Sequence, residues 1–89
     1  MSNPETIAQI ADTPMPGTPG HVLRVRLVKN PAGPQLDMRV FTPFTPAMAL
    51  MPTGRGLSVP VSLLSSLTTA MEAAETHAAE MGLIERGDA

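Results

Sequence analysis

The sequence predicts an α+β domain, in which an antiparallel sheet of about four strands is followed by one C-terminal helix. Two stretches with a two-residue apolar period, at 22–29 and 36–42, predict the first strands. After Pro60 the apolar period lengthens to that of a helix. A chain of 89 residues forms one small domain, and such domains often complete a thin core by association, so we expect a homodimer.

The first twenty residues contain four prolines and two glycines, which predicts a flexible N-terminal tail over 1–20. A short helix beginning at Pro4, with Ile7 and Ile10 on one side, is the alternative for its first half. The single β-β-β-β-α domain is then expected over 21–89. The tail itself is a candidate segment for binding a protein partner.

The two alternating stretches predict a sheet with one apolar face and one charged face. The apolar side chains are Leu23, Val25 and Leu27 on the first strand and Leu36, Met38 and Val40 on the second. The segment 30–35 between them, with two prolines and a glycine, is typical of a hairpin connection. Matching the apolar faces places the following residues together on the outer surface: Arg24, Arg26, Asp37, Arg39 and Phe41.

The remainder of the sheet is expected to consist of two short strands, at 47–51 and 57–59, separated by a turn at 52–56. In the helix, apolar residues recur at alternating steps of three and four, the spacing of a packed seam. The seam consists of Leu64, Leu67, Met71, Ala74, Ala78 and Met81. We expect this helix to cover one face of the sheet and to supply the dimer contact through Leu64, Leu67, Met71, Ala74 and Ala78.

Charge is divided unevenly along the chain. Residues 21–60 carry five basic side chains and one acidic one, a net charge of 5 − 1 = +4, whereas residues 61–89 carry one basic and five acidic ones, or 1 − 5 = −4. A basic sheet joined to an acidic helix is suited to binding an anionic partner through the sheet.

Two short motifs resemble those of the positive cofactor four type of transcriptional coactivators and single-stranded-DNA-binding proteins. The first is Asp37-Met38-Arg39 with Phe41, and the second is Pro52 followed by Gly56-Leu57-Ser58-Val59. The resemblance covers roughly residues 21–75. It implies a homodimer of β-β-β-β-α units whose helices pack together and whose sheets bind single-stranded nucleic acid. Thr42 and Leu64 stand where such proteins commonly carry aromatic residues.

The expected function is therefore binding of single-stranded nucleic acid, most simply DNA, with little sequence preference, in transcription or in replication and repair. Such binding needs cations along the phosphates and flat groups on which bases stack. The candidate cations are Arg24, Arg26, Arg39 and Arg55, and the candidate stacking groups are Phe41 and Phe44. Asp37 is expected to pair with an arginine across the sheet. The alternative is a structural or protein-interaction module of the same dimeric fold, its charged face serving to prevent aggregation.

Catalysis is not expected. The chain has no cysteine, and its two histidines, His21 and His77, are distant in sequence and lie in different predicted elements. No phosphate-binding loop and no metal-ligand spacing is present, so neither a metal nor a cofactor is expected. The sequence also lacks a continuous apolar run long enough to cross a membrane. We therefore expect a soluble, intracellular protein of the cytoplasm, nucleoid or nucleus.

Overall fold

The computed structural model of the chain describes residues 5–43 and 49–85. Four strands form one antiparallel sheet in sequence order: β1 (Glu5–Pro14), β2 (Val22–Asn30), β3 (Gly33–Pro43) and β4 (Leu50–Pro60). A single 3₁₀ turn, Val61–Leu63, leads into the helix α1 (Leu64–Glu80). The predicted fold class, a four-stranded antiparallel sheet followed by one helix, is confirmed.

The first strand was not expected. Residues 5–14, predicted as part of a flexible tail or as a short helix, form β1 and pair with β2 from Val22 to Lys29. The register shifts between Thr6 and Ala8 and again between Gln9 and Ala11, so Ile7 and Ile10 are the extra residues of two β-bulges. These bulges break the two-residue alternation and leave two isoleucines three apart, a helical spacing. The sheet therefore begins inside the segment predicted as a tail.

The last strand also differs from the prediction. A turn at 52–56 between strands at 47–51 and 57–59 is wrong, because β4 runs without interruption from Leu50 to Pro60. Pro52 is tolerated since β4 lies at the edge of the sheet, where a missing N–H breaks no ladder on the open side. Residues 47 and 48 lie outside the described part of the chain.

The hairpin predicted at 30–35 connects β2 and β3, but its connection is shorter than that segment. Asn30 pairs with Gly33, so only Pro31 and Ala32 form the connection. The Asn30 side-chain oxygen accepts a hydrogen bond from the Ala32 backbone N–H at 2.9 Å, and Gly33 adopts a φ of 114° that favours glycine. This turn fixes the register, which sets Arg24 opposite Arg39 and Arg26 opposite Asp37.

The two faces of the sheet are covered to different extents. Among the described residues, the buried apolar side chains are Val28, Val40 and Phe41. The apolar face, which we define as Leu23, Val25, Leu27, Leu36, Met38 and Val40, is otherwise only partly buried. The opposite side, the arginine face, carries Arg24, Arg26, Asp37, Arg39 and Phe41, and it includes two of the most buried side chains, Asp37 and Phe41.

The helix does not cover the sheet as expected. The 3₁₀ turn before α1 packs against β3, whereas α1 itself makes at most isolated contacts with the sheet. No residue of α1 is buried. Met71, at the middle of the predicted seam, is 50% exposed. The helical period predicts which side of α1 is apolar; in the described chain Leu64 and Leu67 on that side are half-buried, whereas Met71 and Ala74 are exposed.

Candidate nucleic-acid interface

Asp37 is the centre of the arginine face. Its carboxylate is 2% exposed and accepts hydrogen bonds from Arg26 Nε at 2.9 Å, from Arg39 Nη2 at 3.0 Å and from Ser58 Oγ at 2.7 Å. The three donors come from β2, β3 and β4, since the register places Arg26 and Ser58 on either side of Asp37. The expectation that Asp37 pairs with an arginine across the sheet is confirmed.

The hydrogen bonds of Asp37 also decide its ionisation. Burial is the largest influence and by itself raises the pKa of Asp37, but the hydrogen bonds from Ser58, Arg26 and Arg39 together outweigh it. The pKa of Asp37 therefore lies below the ordinary range of an aspartate. At neutral pH the group is a buried anion that neutralises one of its two arginines and holds both guanidinium planes in place.

Arg24 is held by a second carboxylate, supplied by β1. Its Nε donates to Asp12 Oδ1 and its Nη2 to Asp12 Oδ2, both at 2.8 Å, which is the paired geometry of a guanidinium and a carboxylate. The hydrogen bond from Arg24 is the main reason that the pKa of Asp12 is lowered. Asp12 was not a candidate in the sequence, because its strand was interpreted as a tail.

Phe41 lies beneath the arginines. Its ring is 4% exposed, and the Cζ atoms of Arg24 and Arg26 lie 4.5 Å and 5.2 Å from the ring centroid. Both distances are within the range of cation–π attraction. Phe41 was expected to offer its own face to a nucleic-acid base; in this structure guanidinium groups lie over the ring, and its stacking role stays a prediction.

The fourth strand is tied to this cluster through Thr53. Arg39 Nη1 donates to the Thr53 backbone carbonyl at 3.1 Å, while Thr53 Oγ1 donates to the carbonyl of Val40 at 2.7 Å. Thr53 Oγ1 also accepts the backbone N–H of Arg55 at 3.1 Å. Arg55 itself is exposed on the edge strand β4.

The structure thus brings together four of the six predicted binding residues: Arg24, Arg26, Arg39 and Phe41. Arg55 lies on β4 next to Gly56, which pairs with Arg39, and Phe44 lies outside the described residues. Sequence reasoning missed Asp12, Thr6, Thr53 and Ser58, whose side chains hold the arginines in place or tie β4 to them. Of these, Ser58 alone had a local signal, since it belongs to the Gly56-Leu57-Ser58-Val59 motif.

The net charge of the sheet is smaller than the sequence indicated. The four strands contain five basic and three acidic residues, a net charge of 5 − 3 = +2. The difference arises because β1 adds Glu5 and Asp12 to the sheet. The helix α1 and the described residues after it, up to position 85, carry four glutamates and neither lysine nor arginine.

Among the described residues, 5–43 and 49–85, no group of three or more His, Asp or Glu side chains is placed to hold a metal ion. Over the same residues, no helix has the length and apolar character needed to cross a bilayer. Comparisons with protein-family models, with curated proteins and with solved structures gave no match.

Proposed function

We propose that the protein binds single-stranded nucleic acid, DNA in the simplest case, across the arginine face and with little sequence preference. The observation that carries the proposal is the arrangement of three guanidinium groups, held by Asp12 and Asp37, over and beside the Phe41 ring. Fixed flat cations can stack on any base, whereas hydrogen-bonding groups that read base edges are not required.

A single strand suits this surface better than a duplex. In a duplex the base faces are stacked on one another, so a protein group can reach them only after unstacking. The net charge of the sheet is only +2, which gives weak attraction to the phosphates of a duplex. The proposal includes an intracellular role, in transcription or in replication and repair.

The proposal also includes a homodimer formed through α1 and the apolar face. The chain exposes 6634 Å², whereas a compact chain of 9.3 kDa exposes about 5,000 Å². Its radius of gyration is 15.2 Å, compared with about 12 Å for a compact domain of this length. The excess is of the size that one partner buries in a stable dimer, roughly 800 Å² or more.

A second candidate is a protein-interaction module of the same fold. The observation that favours it is the set of exposed apolar side chains along and after the helix: Leu63, Met71, Met81, Leu83 and Ile84. These would bind another protein if they are not used by a second copy. The acidic residues of this region disfavour contact with a nucleic acid there.

The test of the nucleic-acid proposal is a titration by fluorescence anisotropy with a labelled, mixed-sequence single strand of about twenty nucleotides and with the matched duplex. We expect binding that favours the single strand at low salt. Absence of binding to the single strand, or equal binding to the duplex, would reject the proposal. Replacement of Arg26 and Arg39 by glutamate is unsuitable as a control, because it would place three carboxylates around one buried site.

A further inference from the structure

We propose that the outer face of the Arg24 guanidinium, and not the Phe41 ring, is the surface on which a base stacks, and that Asp12 is the residue that positions it. This inference rests on the proposed function and names the group that makes the base contact. It assigns to β1 a part in binding that its sequence does not suggest.

The burial of Phe41 excludes it from direct contact with a base in this structure. Only 4% of the residue is exposed, and Arg24 Cζ lies 4.5 Å from the ring centroid. A base that approaches this side of the sheet therefore meets the guanidinium group first. The ring serves as the support beneath it, and the cation–π contact holds the two together.

The Arg24 group is fixed from the side as well as from below. Its two hydrogen bonds to Asp12, both 2.8 Å long, lie at the outer strand β1, while Phe41 lies two strands away on β3. A guanidinium held by both neighbours has lost most of its rotamer freedom before any ligand arrives. Stacking on it therefore costs less conformational entropy than stacking on a mobile side chain.

The pairing with Asp12 determines which property of Arg24 a nucleic acid can use. The carboxylate neutralises most of the attraction between Arg24 and a phosphate, but it leaves the flat π surface of the guanidinium intact. Arg26 is less suited to the same role. Its Cζ lies farther from the ring, at 5.2 Å, and its side chain is 14% exposed, compared with 18% for Arg24.

The first test compares native protein with Arg24→Lys, which keeps the positive charge and removes the plane. We expect Arg24→Lys to weaken binding to a base-bearing strand about tenfold. With an abasic strand of the same length and charge, native protein and Arg24→Lys should bind equally. The inference is overturned if Arg24→Lys binds the base-bearing strand like native protein, or if its loss is as large on the abasic strand.

The second test removes the hydrogen bonds between Asp12 and Arg24. It applies even if Arg24→Lys folds poorly, which circular dichroism would reveal. Asp12→Asn and Glu5→Gln each remove one negative charge from β1, but only the first releases Arg24. We expect Asp12→Asn to bind the single strand more weakly than Glu5→Gln. Tighter binding by Asp12→Asn would show that Asp12 competes with the ligand for Arg24, and the positioning role would be wrong.

These outcomes separate the inference from the proposed function. If native protein fails to bind the base-bearing strand at low salt, both are wrong. If native protein binds, Arg24→Lys does not differ from it and Asp12→Asn does not differ from Glu5→Gln, the proposed function stands and only the stacking role of Arg24 is rejected.

Discussion

Asp37 is the residue on which the arginine face depends. It is almost completely buried, and it accepts hydrogen bonds from two arginines and one serine on three strands. Removal of a buried carboxylate leaves its cationic partners without a counter-charge in partly buried positions. The alternation of 36–42 was sufficient to predict that Asp37 faces arginines, because a strand places every second residue on the same side.

We expect Asp37→Asn to lower the free energy of unfolding by about 2–4 kcal/mol, since charge-assisted hydrogen bonds are lost in the interior. Asp12→Asn should cause a much smaller loss, because its ion pair with Arg24 is exposed to solvent. Urea unfolding followed by circular dichroism measures both. Equal effects of the two substitutions would contradict the central position of Asp37.

The stability of the protein should fall in acid. The pKa of Asp37 is lowered by folding, so between the folded value and the unfolded value of about 3.9 the unfolded chain binds more protons. The contribution of Asp37 to the free energy of unfolding is therefore complete above about pH 5 and is lost as the pH falls through the folded pKa of Asp37. Urea midpoints between about pH 6 and pH 3 should decline less steeply in Asp37→Asn. Parallel curves for the two proteins would show that Asp37 is not responsible.

Other residue-scale features could not be predicted from sequence. The pairing of Arg24 with Asp12 requires β1 to lie beside β2, and Asp12 carries no mark of that contact in its own segment. Arg24 and Arg26 cover Phe41 because of the rotamers that their side chains adopt. Alternation along a strand does not determine those rotamers.

At the scale of the elements, the two edge strands, β1 and β4, both contain register shifts that hide them in the sequence. The bulges leave Ile7 and Ile10 three residues apart, a helical spacing, so the sequence of this strand lacks the two-residue alternation that would have predicted it. In β4 the register shifts where Arg39 and Phe41 face Gly56 and Pro52. The same proline and glycines that mark a turn in sequence here belong to an edge strand with a bulge.

Gly56 is needed because the backbone of β3 approaches it closely. A Cβ atom at this position would lie 2.3 Å from the Met38 carbonyl oxygen and 2.7 Å from Arg39 Cα. We expect Gly56→Ala to destabilise the protein by about 1–3 kcal/mol, the usual range for overpacking. Gly54→Ala is the matched control, since a Cβ there meets nothing within 4 Å. Thermal melting measures the stability of both variants, and an unchanged melting temperature in Gly56→Ala would contradict this account of the bulge.

At the scale of the whole molecule, one chain leaves much apolar surface uncovered. The sheet has a partly buried apolar face, and the helix has no buried residue. The helical period of the sequence predicts the apolar side of α1, but it does not specify whether the layer that covers it comes from the same chain. This is why the fold class could be predicted and the position of the helix could not.

The dimer proposal predicts that Leu67→Glu yields monomer or unfolded chain, because it would place a charge in the helix seam. Ser66→Glu, which adds the same charge at an exposed position of the same helix, should leave the dimer intact. Analytical ultracentrifugation of native protein and both variants makes the comparison. A native protein that sediments as a monomer, or a stable Leu67→Glu dimer, would contradict the proposed seam.

The measurement that tests the central claim most directly is the salt dependence of single-strand binding by native protein. If the ion pairs of Asp12 and Asp37 persist in the complex, the two carboxylates cancel two of the four arginine charges on the sheet, and 4 − 2 = 2 charges are left for phosphates. The logarithm of the binding constant should then fall against the logarithm of the salt concentration with a slope of about −0.7 × 2, or −1.4. A slope of about −3 would mean that the arginines leave their carboxylates for phosphates, and no binding at low salt would mean that this face does not bind nucleic acid.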